Sequence, residues 1–582
     1  MPTHRPYHSL STSVTILLAW VGCAAVLAGL LLHLAVLTTA AVTSHSLPGL
    51  TDTVEALRDS PTNPVAGYPT PVGPAGLVYV LLAVMILAVA GGGFWVAMLI
   101  AERAEDKRTG RTTPRHLRPL HEAAAAKRAR EILPAAAAAA DPARLLVSLG
   151  SLQGTPLYGQ HEDSFCLVAP ARSGKTMYLA VPWVLDAPGP VVATGTKNDL
   201  TYLTARPRQL VGKVLAMDPS DVAGWPHPLR WNPVLGCLDP DEALERGRAW
   251  AAGDPGKVGG KNSEWFNARA GEVLAYLLHA AALKPEGSMR DVMRWSADFA
   301  DDEPVRLLTD SPHAEQVGWA DLLKARTQSR AGETTDSLRM TLSGLLAPLT
   351  SPRVLEAVCP PAGEEFDVED FLSGPNTLYL LSGHGAGNVA PLMTMLTDHI
   401  VRCAQRLSQR KPGGRLWPPL RLVLDEAANV APLPDLPALM SDSGGRGITT
   451  MVICQSFPQM DDRWGREGAE AMRANATVTM YLPGIKEVDR LRELSEATGR
   501  YRASRTSYST GRAHGSVSTS SEWENVMSVD DIRRMDVGTG LLFYRGLKAA
   551  HVNLTPWWER PDSEAIRESK EDIEQMTGRA MQ

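Results

Sequence analysis

The sequence predicts an α/β protein: a parallel sheet carrying a phosphate-binding loop, interrupted by an all-helical insertion and tethered by two membrane-crossing helices. Three observations carry this reading. Two apolar runs of membrane-spanning length lie near the start of the chain. A strand-like run then passes through Gly174-Lys175-Thr176 into a helical pattern. Beyond it, strand and helix patterns alternate, except over a long middle stretch where strand signals stop.

Composition sets the bounds. At roughly 100–200 residues per domain, 582 residues suggest about three or four structural units. An apolar content of 44% supports a sizeable core and excludes a disordered chain. Lys plus Arg number 58 against 64 Asp plus Glu, a net charge of −6, which argues against wrapping duplex DNA over the whole outer surface. A local or channel-lining basic site stays open. The six cysteines form no C-x-x-C pair, which excludes a zinc ribbon or a disulfide framework.

The membrane end comes first. No charged side chain occurs between Arg5 and Asp52, and 14–42 is nearly all apolar; a second such run covers 75–100. Each exceeds the roughly 20 residues that cross a bilayer as a helix. A cleaved signal peptide is the competing reading of the first run, and its length and the second span weigh against it. The loop 43–74 sets Arg58 against Asp52, Glu55 and Asp59, whereas Arg103, Lys107, Arg108, Arg111, Arg115 and Arg118 follow the second span. The positive-inside rule then places both termini in the cytoplasm, the protein in the plasma membrane, and the loop outside. His33, within the first span, is a helix–helix contact in preference to a proton relay. Gly91-Gly92-Gly93 permits close helix packing in an oligomer. The anchor is assigned to 1–102 and a basic, Ala-rich cytoplasmic linker to 103–144. The linker's bases read as a topology determinant before a lipid or nucleic-acid contact.

The nucleotide signal follows. An apolar strand pattern from Ser164 runs into Ala169-Pro170-Ala171-Arg172-Ser173-Gly174-Lys175-Thr176, and a helix pattern begins at Met177. This is the strand–loop–helix setting a P-loop requires, with Ala169 where Gly is usual. Ala169, Arg172, Ser173, Gly174, Lys175 and Thr176 are therefore the candidate nucleotide-binding residues: loop N–H groups cradle phosphates, Lys175 reaches the β- and γ-phosphates of ATP, and Thr176 offers its hydroxyl to Mg²⁺. Further strands are expected at 189–194 and 212–218. About 250 residues on, Leu420-Arg-Leu-Val-Leu-Asp425-Glu426 reads as a buried strand ending in two carboxylates. Alone it is as much a helix cap as a metal-binding acid; paired with a P-loop, it makes Asp425 the second magnesium residue and Glu426 the base that polarises water. Gln455 ends the next strand pattern, 448–455, and is either a γ-phosphate sensor or a surface amide. Arg446, between Gly445 and Gly447, is either a finger acting across a subunit interface or a solvated loop residue.

The sheet pattern is assigned to 145–234 and 362–561, with an all-α insertion at 235–361. Within the insertion Phe266, Ala270, Val273, Leu274, Leu277, Leu278 and Ala281 fall at helical spacing. Trp265 and Phe266 read as core before stacking groups. Strands are expected at 377–381, 477–482 and 541–544, and helices at 391–407 and 488–498. The Ser/Thr-rich 504–521, with Arg505 and Arg512, reads as a flexible loop, and the charged 562–582 as a solvated helix. His161-Glu162 lacks the second histidine of a metalloprotease helix.

Together APARSGKT, TKNDL, DPSD…RWNPV, LVLDEAANVAPLPDLPALMSDSGGRGITT and ICQSFPQMDDRWG resemble the type IV coupling proteins of conjugative DNA transfer and type IV secretion, in a two-span form like that of actinobacterial elements. The resemblance covers about residues 145–560, and 420–465 is its most specific part. It implies a RecA-like ATPase domain with an inserted all-helical domain that receives cargo. It also implies a homo-hexamer whose channel moves relaxase-bound single-stranded DNA toward a secretion channel. Carried over by position, Lys175 and Thr176 bind ATP and Mg²⁺, Asp425 and Glu426 are the acid pair, and Gln455 follows them; Ala169 and the offset of Arg446 depart from the pattern. Two other readings compete. One is an FtsK-type duplex translocase, which usually ends in a small winged domain where this chain is expected to stop soon after Pro561. The other is a membrane receptor that recruits secretion substrates and uses nucleotide only to assemble.

Overall fold

The structure is a computed structural model that describes residues 9–133, 141–254, 261–312, 314, 317–328, 332–383, 389–510 and 515–582. The chain divides into two compact units, Met1–Lys107 and Arg108–Gln582.

The first unit is built on the helices Ser9–Val42 and Ala75–Thr109, with the short helix Leu50–Asp59 between them. Ala24–Val42 and Ala75–Met98 are long and apolar enough to cross a membrane. Val80, Leu87, Phe94 and Trp95 are large apolar side chains exposed on the second of these helices. The small core is formed by Leu32, Val36, Ala56, Tyr68 and Val78. His33 serves the packing: its Nδ1 lies 2.7 Å from Thr53 Oγ1 on the short helix, and Tyr68 donates to the same hydroxyl at 2.8 Å. Those partners tie the first long helix to the short helix Leu50–Asp59, so the contact His33 makes is helix to helix.

In the second unit, eleven strands form one sheet. They are β1 (Leu146–Leu152), β2 (Thr155–Gln160), β3 (Phe165–Val168), β4 (Val191–Gly195), β5 (Val214–Met217), β6 (Thr377–Leu381), β7 (Leu420–Asp425), β8 (Ile448–Cys454) and β9 (Val478–Tyr481), followed beyond a separate ribbon by β12 (Thr539–Tyr544) and β13 (Ala550–Asn553). Their order is β2-β1-β13-β12-β9-β3-β8-β7-β4-β6-β5. From β9 to β5 every pairing is parallel; from β9 outward to β2 every pairing is antiparallel. The parallel strands are buried on both faces, which is why β3, β6 and β7 read as nearly unbroken apolar runs. β1 and β2 escaped the sequence reading, although Gln153 and Gly154 at their turn both hold positive φ, the geometry of a two-residue hairpin loop.

Seven helices between β5 and β6, from Pro240–Ala252 to Pro352–Ala357, fill 240–357 among the described residues. They leave and return through adjacent strands, so the insertion does not disturb the parallel pairing. Leu274, Leu278, Trp250, Trp295 and Leu342 are buried among them. A Cβ on Gly247 would collide with the carbonyl of Gly271, so glycine sets the close approach of Pro240–Ala252 to Lys261–Leu283. Trp265 corrects an expectation. It stands 48% exposed, edge-on to Phe266 and under Arg269, and is not core.

Two further segments differ from the sequence reading. The Ser/Thr-rich stretch is not an open loop: β10 (Arg500–Thr510) and β11 (Gly515–Asn525) pair antiparallel in register from Arg500↔Asn525 to Thr510↔Gly515, and residues 511–514 lie outside the described ones. Thr, Tyr and Val at alternating positions suit a ribbon whose backbone groups pair with each other. The charged tail is a helix, Ser563–Thr577, and one stripe of it is buried: Ile566, Ser569 and Ile573, at i, i+3 and i+7, pack on the helix Asp199–Gln209. Ser569 Oγ accepts from the Arg206 N–H at 3.1 Å and donates to the Tyr202 carbonyl at 2.8 Å.

Candidate nucleotide site

The carboxyl ends of β3, β7, β8 and β4 converge on one place. β3 delivers the glycine loop, and the chain enters a helical turn at Thr176–Ala180 that continues as Val181–Leu185. Arg172 and Gly174 hold positive φ, +65° and +88°, so successive loop N–H groups curl around a concavity suited to an anion. A Cβ on Gly174 would lie 2.7 Å from the Tyr178 ring, which makes glycine the fitting residue here. Ala169 is fully buried and outside the positive-φ set, so its position carries a Cβ without strain, and its N–H donates to the Cys454 carbonyl at 2.8 Å. The departure from the usual glycine is therefore local and harmless. Ser173 Oγ, in the loop itself, is buried with no hydrogen-bond partner among the described residues.

β7 ends beside that loop. Lys175 Nζ lies 2.9 Å from Glu426 Oε1 and 3.1 Å from Asp425 Oδ1, and Thr176 Oγ1 donates to Asp425 Oδ2 at 3.2 Å. Glu426 takes a left-handed backbone, φ +53° and ψ +41°, as the chain turns into the short helix Ala427–Val430. Gln455, just past β8, donates through Nε2 to Glu426 Oε1 at 2.8 Å. The lysine, both carboxylates, the threonine and the glutamine picked out in the sequence thus meet in one cluster, and Gln455 is a partner of the acid and not a free surface amide.

Electrostatics sharpens the roles. Burial opposes the charge of Lys175, yet Asp425 and Glu426 outweigh it and hold its pKa above the ordinary lysine value. Burial also works against Glu426, but Lys175, Thr196 and Gln455 prevail and keep it below the usual carboxylate range. Asp425 is the more deeply buried of the two, and burial holds it above that range.

Several contributors were missed. Thr196, past β4, donates to Glu426 Oε2 at 2.9 Å, and Thr194 donates to the Asp425 carbonyl at 2.6 Å. Gln459 accepts from the Gln455 N–H at 3.0 Å and donates to Asn429 at 2.9 Å; its helix, Phe457–Asn475, is capped by Ser456. Four residues on, half-buried Arg463 donates to the carbonyls of Ala428 at 3.0 Å and Asp254 at 2.6 Å, tying the segment after the acid pair to the start of the helical insertion. Asp199, lifted to about 6 by burial, is a further carboxyl close to Asp425. The glutamine spacing 455-459 was a visible signal; the threonines came from a strand end that composition does not mark.

Arg446 is not in this cluster. It closes a short turn, Ser443–Arg446, at the amino end of β8 and pairs with Asp442 at 2.6 Å, on the opposite edge of the sheet. His161, singled out with Glu162, is structural: burial beside Arg421 pushes it down to about 3, and its neutral ring bridges the Arg144 carbonyl and the Arg421 guanidinium.

With this geometry in place, comparison with known proteins is informative. Residues 419–537 match the family described as the TraM recognition site of TraD and TraG, and they include Asp425, Glu426 and Gln455. The conjugal transfer protein TraG of Escherichia coli is 25% identical over 407 residues, covering 64% of this chain and 61% of its own length. Protein VirD4 of Rhizobium rhizogenes is 24% identical over 412 residues, covering 68% of this chain and 58% of its own. The chain is thus similar to conjugal transfer protein TraG and to protein VirD4. It spans about three fifths of the length of those curated relatives. Among solved structures, the unbound conjugative coupling protein TrwB lacking its first 70 residues superposes with a TM-score of 0.50 at 17% identity, covering 74% of this chain and 91% of TrwB. TrwB in complex with the ATP analogue ADPNP matches equally well, at 16% identity. This chain therefore shares the fold of the conjugative coupling protein TrwB, here built on a mostly parallel sheet.

Proposed function

We propose that this protein is a membrane-anchored coupling ATPase that recruits relaxase-bound single-stranded DNA and drives it toward a type IV secretion channel. The observation that carries the proposal is the cluster of Lys175, Thr176, Asp425, Glu426 and Gln455 at the carboxyl edge of one parallel sheet. A recruiting receptor needs only to bind nucleotide; this cluster has, besides the binding loop, a carboxylate and an amide arranged for hydrolysis.

The chemistry follows from the residues. The loop N–H groups, the orphaned Ser173 hydroxyl and Lys175 suit the phosphates of ATP. Thr176 and Asp425 suit Mg²⁺, which when bound neutralises charge on the β- and γ-oxygens. Phosphate oxygens compete with the two carboxylates for Lys175. A Glu426 released from Lys175 loses the partner that most depresses its pKa and becomes the better base for a water proton. Gln455, bonded to the same oxygen, fixes that carboxylate's aim and senses whether the γ-phosphate is present. Arg446, remote from its own site, suits a neighbouring subunit's site in a homo-hexamer.

Partners follow from the relatives. TraG is a conjugal transfer protein, and the match to the TraM recognition site supports a DNA-processing complex as the recruited partner of 419–537. The two spans hold the protein in the plasma membrane, with the nucleotide site in the cytoplasm.

Cells carrying Glu426→Gln in place of the wild type test the motor. The variant should reach the membrane at normal levels and bind ATP, yet lose DNA transfer by about 10²–10⁴-fold, the usual weight of a general base. Transfer at the wild-type rate would make the protein a receptor.

A further inference from the structure

The sheet order constrains where the rest of the nucleotide lies. The phosphates belong at the loop after β3, and the acids of β7 stand two strands to one side, beyond β8. On the other side come β9, then β12 and β13. β12 is antiparallel to β9, so its beginning reaches the same edge as the loop, and the end of β13 returns there too. The segments at that edge are Val537-Gly538 and the short turn Trp557–Glu559.

These segments close on the start of the P-loop helix. A Cβ on Gly174 would touch Val537 Cγ1 at 3.4 Å, and one on Gly538 would lie 2.9 Å from the Tyr178 ring. Both glycines give Tyr178 its room. Trp557 Nε1 donates to Met177 Sδ at 3.3 Å, and Trp558 meets Tyr178 edge-on, with ring centroids 5.6 Å apart. Yet Val537 is 58% and Trp558 41% exposed. Two large apolar side chains held in place beside a polyanion site, but left open, form a surface that awaits a flat apolar ligand.

We propose that Tyr178, Val537 and Trp558 form the base subsite of the nucleotide, with a purine ring lying on Trp558 and Val537 while its phosphates occupy the loop at Lys175. The inference rests on the phosphate site described above. Stacking and apolar contact read the face of a ring and not its hydrogen-bonding edge, so the subsite accepts adenine and guanine alike.

Calorimetric titration of the full-length protein in lipid nanodiscs tests this, with Mg·ATP, Mg·GTP and inorganic triphosphate as probes. Trp558→Ala should weaken ATP and GTP equally, by about tenfold, the scale of one lost base–aromatic stack. It should leave inorganic triphosphate unchanged, which also shows that the variant is folded. Trp558→Phe should restore most of the loss. Lys175→Ala should weaken all three probes; if it does not, the phosphate site itself fails and the subsite falls with it. With the Lys175 control behaving as stated, ATP affinity unchanged in Trp558→Ala overturns the proposal, as does an equal loss for inorganic triphosphate. A Trp558→Ala protein that loses its oligomer but keeps its ATP affinity assigns the patch to a subunit interface and overturns it as well.

Discussion

Glu426 keeps a left-handed backbone at a cost of about 1–3 kcal/mol for a residue with a Cβ. The turn aims its carboxylate back at Lys175, Thr196 and Gln455, the direction a water-activating base requires. Asp199 is the other unusual acid. Burial lifts it to about 6, against the pull of the Leu200 N–H and the nearby lysines Lys197 and Lys175, while the unfolded chain titrates near 3.9. Between those values the folded protein holds the extra proton, so this group's contribution is full at low pH and is lost as pH rises through 6. Asp199→Asn should therefore be more stable than wild type at pH 8, by on the order of 1–2 kcal/mol after allowance for its partial exposure, and by about half as much at pH 5. Unfolding midpoints of both proteins at the two pH values check this; a gap that does not grow with pH contradicts it.

At the scale of elements, legibility followed periodicity. β3, β6, β7 and β8 are buried on both faces, so their apolar runs were plain, and the loop and acid pair sat at their ends. Gln455 was readable from its place one residue past a strand. Thr196, Gln459 and Asn429 were not, because their partner Glu426 and one another come from separate loops that only the sheet order brings together. β1, β2 and β13 lie at the antiparallel side of the sheet and are only partly buried, so they lack the unbroken apolar run that marks the parallel strands. The tail helix misled for another reason: its many charges hide a stripe of three buried positions. That stripe yields a test. Ile573→Asp buries an unpaired carboxylate against the helix Asp199–Gln209 and should destabilise the second unit by about 3 kcal/mol or more. Limited proteolysis should then release the tail first. An unchanged melting temperature and an intact tail would show that this packing contributes nothing.

For the whole molecule, the arrangement joins three tasks in one chain. Two apolar helices offer membrane attachment, the mixed sheet carries the nucleotide cluster, and the helical insertion grows from the edge of that sheet without breaking it. Arg463 links the last two, joining the segment behind Glu426 to the carbonyl of Asp254 at the mouth of the insertion. A net charge of −6 is compatible with a DNA motor, because the charge that tracks a single strand is a local property of a groove or channel. The most direct measurement of the central claim is ATP hydrolysis by the full-length protein in lipid, with and without single-stranded DNA, beside Lys175→Ala. The account predicts turnover that rises severalfold with DNA and falls to background in the variant. Turnover indifferent to DNA, or a Lys175→Ala protein as active as wild type, would contradict it.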